Sequence, residues 1–482
     1  MRRVAGILAL VAVAAACGRF MACGRKHSPK KEPIARLPTT MVSGSAVASD
    51  DITHYAYLVE DTNGVRMIRD GVPGENFKSA TNRSYLRNSH RHVYWARDFT
   101  GQPLLIVDDT VIPIGYSKHE YVVSDPKAEH WAAVATLPGE QKGTIILRDG
   151  QAIGPFADAG VPAWSPTVAG ELAYIRIAEE PVVTKHTELV VDGKVVRSHT
   201  GNPDTCIPAF GEPQEGPELP RQTLVRFLTD GRLVSLMPDG SHWALRRDDE
   251  VLGTFDATAP TAPGSVGPYL LAGTDKCLNG SVIAVDSVTA AEQTPVVAWW
   301  ERPANQSFWR VMIDGKPALS PNCLRPWPHQ QPVLPPDGRL AAFPCSVRFD
   351  DKGEAVKIIH GLKQYGPYPE VWALALSDDG KHLAYGASDG SMDLAWAVYL
   401  DGVQRSERYY AIWRPKFDPS GQHLAWEAMR SPNGPNVLVL DGRTLSTFDD
   451  LLKGPIFDRP GEVGWVVRRG KRLARLNFPI TP

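Results

Sequence analysis

A short alternating motif recurs along this chain about every 40 residues. Its clearest copies read "QHLAWEA" at 422–428, "KHLAYGA" at 381–387 and "ELAYIR" at 171–176. Ten copies align, and eight have a small central residue: Ala56, Ala132, Ala173, Ala298, Ala341, Ala384, Ala425 and Gly464, with Tyr94 and Val234 as the exceptions. The centres lie 38, 38, 41, 61, 64, 43, 43, 41 and 39 residues apart. A near-constant period with two stretched intervals indicates a repeat protein, and alternation by two argues against helical repeats.

Two kinds of turn signal frame the motif. An apolar run ending in Asp-Gly follows it, as at 401–402 and 441–442, and a glycine turn such as "PPDG" at 335–338 or "DPSG" at 418–421 precedes it. Asp-Gly between two β-rich runs favours a type I′ hairpin turn, because both central residues need positive φ. Variants of this turn are expected at Asp108–Asp109, Asp248–Asp249 and His360–Gly361.

These landmarks predict four short antiparallel strands in each repeat. Four strands per 40 residues, repeated radially, are typical of a β-propeller, so we predict an all-β fold with a single propeller. The first unit lacks a clear leading strand and the last lacks its outer strand, so the two are expected to close the ring as one blade. Eight blades are favoured within a range of seven to ten. Ser420 occupies a turn position that is aspartate in neighbouring copies, so it is structural and not a nucleophile.

The pattern "PDG-[KR]-LAY … VVDGK" resembles the TolB-type, WD-repeat-like β-propellers of bacterial envelopes. The resemblance covers residues 51 to 482 and implies a propeller that binds other proteins, without one particular chemistry. This chain departs from the family in its irregular middle and lacks the α/β domain that precedes the propeller in TolB. The partner of TolB is therefore not expected to transfer.

The N-terminus has the pattern of an export signal. Arg2 and Arg3 precede an apolar run over 4–16, which is shorter than the ~20 residues of a membrane-spanning helix. The run ends in "AAAC", which resembles the lipobox of bacterial lipoproteins and implies that Cys17 carries the lipid anchor. Ala14 stands where that family prefers leucine. Cys23 is a second candidate, and an ordinary cleaved signal is the alternative.

The domain prediction has three parts: a signal peptide over 1–16, a flexible tether over 17–50 and a propeller over 51–482. The tether carries several basic residues and few large apolar ones, which is typical of a linker, and the basic cluster is an alternative site for anionic head groups. Irregular loops interrupt the propeller around 199–222 and 255–295. These loops are either a binding surface or decorative insertions, because binding residues concentrate on long loops of rigid scaffolds.

Four further cysteines fit an oxidising compartment. They allow three pairings, and we expect Cys206 with Cys277 and Cys323 with Cys345, because each pair closes a local excursion of the chain.

Five copies of the motif begin with histidine: His54, His92, His130, His382 and His423. Equivalent positions in a propeller fall on one end, so these residues predict a histidine face that responds to metal or pH. The alternative, which we favour, is an ordinary position after a turn, since other copies carry Arg232 or Arg339 there. No single metal site is expected because the blades hold these residues apart.

The motif search finds no nucleophile elbow, zinc-protease helix, P-loop or EF-hand, so no catalytic residues, metal or cofactor are predicted. The net charge of −2 gives no basic field for nucleic acid. The sequence therefore predicts a non-enzymatic, lipid-anchored envelope propeller, monomeric, that binds a protein, peptide or glycan. It would lie in the outer membrane, facing the periplasm or the surface. The alternative is a propeller hydrolase, similar to glycosidases or lactonases, with axial carboxylates or a metal.

Overall fold

The computed structural model describes residues 29–480, except 43–44, 87–88, 116–121, 138–142, 180–184, 201–223, 260–280, 319–322, 327–331, 339–340, 349–352, 392–394 and 433. Within these residues the chain forms 42 strands and no helix, so the all-β prediction is confirmed. Accordingly, the described residues contain no helix that could cross a membrane.

The strands form ten sheets, which we call blades and number along the chain. β1 (Lys30–Arg36) precedes blade 1 and belongs to blade 10. Blade 1 contains β2 (Val47–Ala48), β3 (Tyr55–Asp61), β4 (Gly64–Arg69) and β5 (Val72–Phe77). Blade 2 contains β6 (Ser79–Tyr85), β7 (His92–Arg97), β8 (Pro103–Val107) and β9 (Thr110–Pro113). Blade 3 contains β10 (Val122–Ser124), β11 (Trp131–Thr136), β12 (Thr144–Arg148) and β13 (Gln151–Phe156).

The middle blades are less regular. Blade 4 contains β14 (Asp158–Ala159), β15 (Ala163–Trp164), β16 (Leu172–Glu179), β17 (Lys185–Val191) and β18 (Lys194–Thr200), and both β14 and β15 pair with β16. Blade 5 contains β19 (Leu224–Phe227), β20 (Leu233–Asp239), β21 (His242–Arg247) and β22 (Glu250–Phe255). Blade 6 contains β23 (Ala257–Ala259), β24 (Val282–Ala290), β25 (Val297–Arg302), β26 (Arg310–Ile313) and β27 (Lys316–Pro317). Its strands β23 and β24 run parallel, unlike the antiparallel pairs elsewhere.

The last four blades return to the regular plan. Blade 7 contains β28 (Arg325–Pro326), β29 (Ala342–Arg348), β30 (Glu354–His360) and β31 (Lys363–Tyr368). Blade 8 contains β32 (Glu370–Leu376), β33 (Leu383–Ser388), β34 (Trp396–Leu400) and β35 (Val403–Gln404). Blade 9 contains β36 (Ala411–Phe417), β37 (Leu424–Met429), β38 (Asn436–Leu440) and β39 (Arg443–Phe448). Blade 10 contains β40 (Asp450–Arg459), β41 (Glu462–Arg469) and β42 (Arg472–Pro479), with β1 as its outer strand.

The Asp-Gly dipeptides form the hairpin turns that the sequence predicts. At Asp70, Asp149, Asp192, Asp314, Asp401 and Asp441 the aspartate has φ between 45° and 51°, and the glycine that follows has φ between 75° and 85°. Two consecutive positive φ values define the type I′ turn, whose twist matches the flanking strands. These turns and the glycine turns before the second strands lie at the same end of the blades. We call this end the hairpin face.

Neighbouring blades pack a small-residue face against an aromatic face. Ala384 and Val398 of blade 8, for example, pack against Leu424 and Trp426 of blade 9. In eight blades the aromatic residue comes one position after the centre of the motif, taken as Val93 in blade 2 and Ala342 in blade 7. These residues are 0–6% exposed: Tyr57, Tyr94, Tyr174, Trp299, Phe343, Tyr385, Trp426 and Trp465. The small central side chain leaves room for the ring of the next blade. The hydrophobic core therefore consists of separate clusters between blades.

Two predicted motif centres are wrong by one residue. In blade 1 the motif centre, Ala56, pairs with Arg69, which is the residue directly before the hairpin turn. By the same criterion the centre of blade 2 is Val93 and not Tyr94. The centre of blade 7 is Ala342 and not Ala341. The error arose because Val93 lies between the aromatic residues His92 and Tyr94, and because Ala342 follows a second alanine, Ala341.

The ends of the propeller also differ from the prediction. β1 and β2 lie within 17–50, so the segment predicted as a flexible tether supplies two strands, and residues 17–28 lie outside the described part of the chain. The first and last units do not merge, because β2 completes blade 1 and β1 completes blade 10. The structure thus has ten sheets, at the upper end of the predicted range and above the favoured eight. Leu37 and Leu473 pack with Tyr57, so the last blade contacts the first.

The candidate site on the hairpin face

The hairpin aspartates fasten the second strand of their own blades. In blade 9, one carboxylate oxygen of Asp441 accepts the backbone N–H of Leu424 at 2.9 Å. Equivalent bonds of 2.8–3.0 Å join Tyr55 to Asp70, Trp131 to Asp149, Leu233 to Asp248, Val297 to Asp314 and Leu383 to Asp401. The positive φ of the aspartate turns its carboxylate back over the sheet. One carboxylate oxygen of each aspartate therefore has a structural role in holding the second strand.

Four of the five predicted histidines contact the second oxygen of these aspartates. Nδ1 of His54, His130, His382 and His423 lies 2.6–2.9 Å from Asp70, Asp149, Asp401 and Asp441, respectively. Each pair lies within one blade, and the four blades are 1, 3, 8 and 9. In the part of the chain that the structure describes, no group of three or more His, Cys, Asp or Glu side chains could hold a metal ion.

His92 does not belong to this set, which corrects the predicted five-residue face. Its backbone N–H, not its ring, bonds to the hairpin aspartate Asp108, at 3.0 Å. The ring is buried and packs between Tyr85 and Tyr94, with centroid distances of 5.0 and 5.4 Å. The one-residue register error is the cause, and Arg91 occupies the position that is histidine in the other four blades.

A second recurring position, directly before the hairpin turn, alternates between blades. It is basic in blades 1, 3, 5 and 7, where it is Arg69, Arg148, Arg247 and His360. It is apolar in blades 2, 4, 6 and 8, where it is Val107, Val191, Ile313 and Leu400. The hairpin face therefore has a period of two blades over most of its circumference.

The basic residues at this position clasp the next blade. Arg69 donates to Asp108 at 3.0 Å and to Asp109 at 2.9 Å. Arg148 donates to Asp192 at 3.2 Å and to the carbonyl of Gly170 at 2.7 Å. In the same way Arg247 reaches Asp314 and the Pro295 carbonyl, and His360 Nε2 lies 2.8 Å from the Gly380 carbonyl. Burial lowers the pKa of His360, so its neutral form donates this bond.

A cleft opens between blades 2 and 3, where Val107 stands in place of a clasping residue. Its volume is about 410 Å³, and its lining comprises Arg91, Val107, Asp108, Thr110, Glu129, His130, Trp131, Asp149 and Gly150. This volume is within the range of small-ligand sites, ~300–1,000 Å³. Val107 does not bridge to the next hairpin turn as Arg69 and Arg148 do, which leaves space beside it in this cleft.

Some charged groups of the cleft already bond to other residues of the protein. His130 and the backbone of Trp131 hold Asp149, and Arg69 holds Asp108. Among the described residues, neither the Arg91 guanidinium nor the Glu129 carboxylate has an ion-pair partner within 4.0 Å. The cleft thus offers one cation and one anion to a ligand that carries both charges.

The sequence identified only part of this site. His130 was singled out, but Arg91 and Glu129 were not, because their significance depends on an adjacent blade. A partial signal for the cleft is the alternation of basic and apolar residues before the hairpin turns, in which Val107 is one of four apolar positions in blades 1 to 8.

The remaining predicted residues lie elsewhere. Cys323 and Cys345 form a disulfide with an S–S distance of 2.02 Å, which is the expected pairing; Cys323 precedes β28 and Cys345 lies in β29 of blade 7. Cys206 and Cys277 lie outside the described residues, as do Cys17, Cys23 and most of the loop over 199–222.

Comparison with known proteins gives structural neighbours only. No family model matches the chain, and no curated protein matches it. The crystal structure of a eukaryotic initiation factor is similar at 9% identity, with a TM-score of 0.45, over 88% of this chain and 98% of that chain. The β-propeller domain of the trilobed protease from Pyrococcus furiosus is similar at 15% identity, with a TM-score of 0.29, over 68% and 99%.

TolB from Acinetobacter baumannii is also similar, at 12% identity and a TM-score of 0.21, over 83% of this chain and 79% of that chain. These similarities are too low for the function of any of the three proteins to transfer to this chain. The propeller fold described above stands on the sheets and their packing.

Proposed function

We propose that this chain is a lipid-anchored, non-enzymatic β-propeller of the bacterial cell envelope that binds a protein or peptide partner through the cleft between blades 2 and 3. The cleft is the observation that carries the proposal, because its lining includes Arg91 and Glu129, which have no ion-pair partner among the described residues. A peptide supplies both charges that these side chains would pair with.

The export signal and the lipobox-like cysteine support the envelope location. Cys17 follows a small-residue boundary, as the acylated cysteine of lipoproteins does. The disulfide between Cys323 and Cys345 is consistent with an oxidising compartment. The propeller supplies a rigid scaffold for the cleft, which reduces the entropy lost on binding.

The test begins with chemical cross-linking in intact cells and identification of the captured partner by mass spectrometry. The affinity of the purified partner is then measured for the wild type and for Arg91→Glu. We expect at least a tenfold loss, about 1.4 kcal/mol, because the reversed charge repels the ligand carboxylate.

Arg232→Glu is the matched control. Arg232 precedes the second strand of blade 5 as Arg91 precedes that of blade 2, but it lies away from the cleft and is paired with Asp230 at 2.6 Å. Equal thermal unfolding of the two variants would establish that both fold. An affinity that is unchanged by Arg91→Glu, or reduced equally by Arg232→Glu, would refute binding in the cleft.

A further inference from the structure

The N-terminal strand enters the propeller from the hairpin face. β1 pairs antiparallel with β42, with Lys30 opposite Asn477 and Arg36 opposite Arg472. Pro479 of β42 stands opposite Glu462, the residue that follows the glycine turn of blade 10. Lys30 therefore lies at the end of the blade that carries the hairpin face.

Side-chain contacts support this direction of entry. Glu32 accepts two bonds from Arg459, at 2.7 and 3.1 Å, and Arg459 belongs to the same glycine turn. At the other end of β1, the backbone N–H of Leu37 bonds to the carbonyl of Lys471 at 2.8 Å. Lys471 lies in the β41–β42 turn on the opposite face, where the chain continues to blade 1.

The predicted anchor lies close to this entry point in sequence. Only residues 18–29, twelve in number, separate Cys17 from Lys30. Twelve residues reach at most about 40 Å when fully extended. An acylated Cys17 would therefore keep the hairpin face near the bilayer, while the opposite face would need the same segment to pass along the whole height of a blade.

The hairpin face also carries most of the exposed apolar side chains. Of the 12 large hydrophobic residues exposed in the described ranges, eight lie in or directly after its turns: Val72, Val111, Val168, Val195, Val196, Val251, Leu362 and Val403. Leu362 is 83% exposed and Val72 is 68% exposed. We call this set the apolar rim.

Basic residues accompany the apolar rim. Lys194, Lys316, Lys363 and Arg443 follow hairpin turns and are exposed. Three hairpin aspartates, Asp108, Asp192 and Asp314, are neutralised by clasping arginines. Apolar side chains interleaved with basic ones suit a surface of phospholipid head groups.

We propose that the hairpin face is the membrane-facing surface of the propeller, with its apolar rim against the phospholipid head groups. This rests on the lipid anchor of the proposed function and adds an orientation that the anchor alone does not give. A partner in the cleft between blades 2 and 3 would then lie on the membrane side of the propeller.

Photo-crosslinking tests the orientation. The full-length protein, expressed with its signal and purified with its lipid, is reconstituted into phospholipid vesicles that contain a diazirine-bearing phospholipid. After illumination, adducts are mapped by peptide mass spectrometry. We expect at least fivefold more adducts on peptides with Val72, Leu362 and Val403 than on the opposite-face turn that holds Phe99, which is 62% exposed.

Two substitutions provide matched variants. Leu362→Asp together with Val403→Asp should reduce adducts on the hairpin face severalfold, whereas Phe99→Asp should leave them unchanged. Equal or greater labelling of the Phe99 turn, or no labelling of either face, would overturn the orientation. The mass of the Cys17 peptide separates the two proposals: an unmodified cysteine shows that the anchor is absent, and an acylated cysteine with the opposite labelling shows that the orientation alone is wrong.

Discussion

One buried residue, Glu427, differs in chemistry from the residues at the same position of the other repeats. Glu427 is 1% exposed, in a strand position that is apolar or glycine in the other blades. Its Oε1 accepts the indole N–H of Trp465 at 3.0 Å, whereas Oε2 has no hydrogen-bond partner among the described residues. Burial raises the pKa of Glu427 to about 8, opposed by the nearby charge of Arg414 and by the Trp465 bond. The side chain is therefore largely protonated at neutral pH.

This raised pKa predicts a pH-dependent stability. Between the ordinary value of 4.5 and about 8, the folded protein holds a proton that the unfolded chain has released. The free energy of unfolding should then fall as the pH rises, by up to about 1.4 kcal/mol per unit, and level off above pH 8.

Glu427→Gln should remove this contribution because glutamine keeps the shape without the titration. Denaturant unfolding at pH 5, 6, 7 and 8 measures the difference between variant and wild type, which should grow with pH in favour of the variant. Parallel stability curves would show that Glu427 does not titrate in this range.

At the scale of elements, hydrophobic packing and clasps hold neighbouring blades together. The repeat predicts the packing well, since Ala384 and Trp426 occupy the faces that alternation assigns to them. The clasps are independent of that pattern. Arg247 has an 11% exposed side chain, and one of its nitrogens contacts both Asp314 and the Pro295 carbonyl of blade 6.

Arg247→Met should destabilise the protein by about 2 kcal/mol. The hydrogen bonds of the guanidinium are lost, and Asp314 remains charged without its arginine partner. Arg430→Met is the control: its ion pair with Glu407 is half exposed, at 49% and 53%, and should contribute less than about 1 kcal/mol. Chemical denaturation of both variants makes the comparison. Equal effects would mean that the clasps are ordinary surface ion pairs.

For the whole molecule, the decisive contacts join residues far apart in sequence. Leu37, 3% exposed, packs with Tyr57 and Leu473, and Lys453 forms an ion pair of 2.7 Å with Asp50. Blade 10 is thereby held to blade 1, and its outer edge is covered by β1. An uncovered edge would expose a row of unpaired backbone groups.

Leu37→Ala should cost about 3 kcal/mol, the usual range for a buried leucine being 2–5 kcal/mol. Amide hydrogen exchange should increase in β1, β42 and blade 1, because this contact joins blade 10 to blade 1. Leu86→Ala is a matched control: Leu86 is 4% exposed between blades 2 and 3, and its loss should raise exchange there instead. Unchanged protection of blades 1 and 10 in Leu37→Ala would show that this contact does not hold the two blades together.

The local sequence pattern predicts most of the fold but little of the candidate site. Alternation and turn chemistry act between near neighbours, so the chain by itself determined the all-β class, the four-stranded unit, the type I′ turns and the structural role of Ser420. The disulfide between Cys323 and Cys345 was also accessible, because its partners are 22 residues apart.

Tertiary structure decided what depends on a neighbour that the sequence does not place. β1 reads as a basic linker, "KKEPIAR", and becomes a strand because β42 offers it an unpaired edge. His92 was assigned to the wrong face because a one-residue register shift changes the side on which a side chain points. The cleft depends on residues of two blades, with Val107 on one side and the hairpin turn at Asp149 and Gly150 on the other. Periodicity therefore determined the repeating unit, and contacts between distant segments determined how the first and last blades are completed and where the candidate site lies.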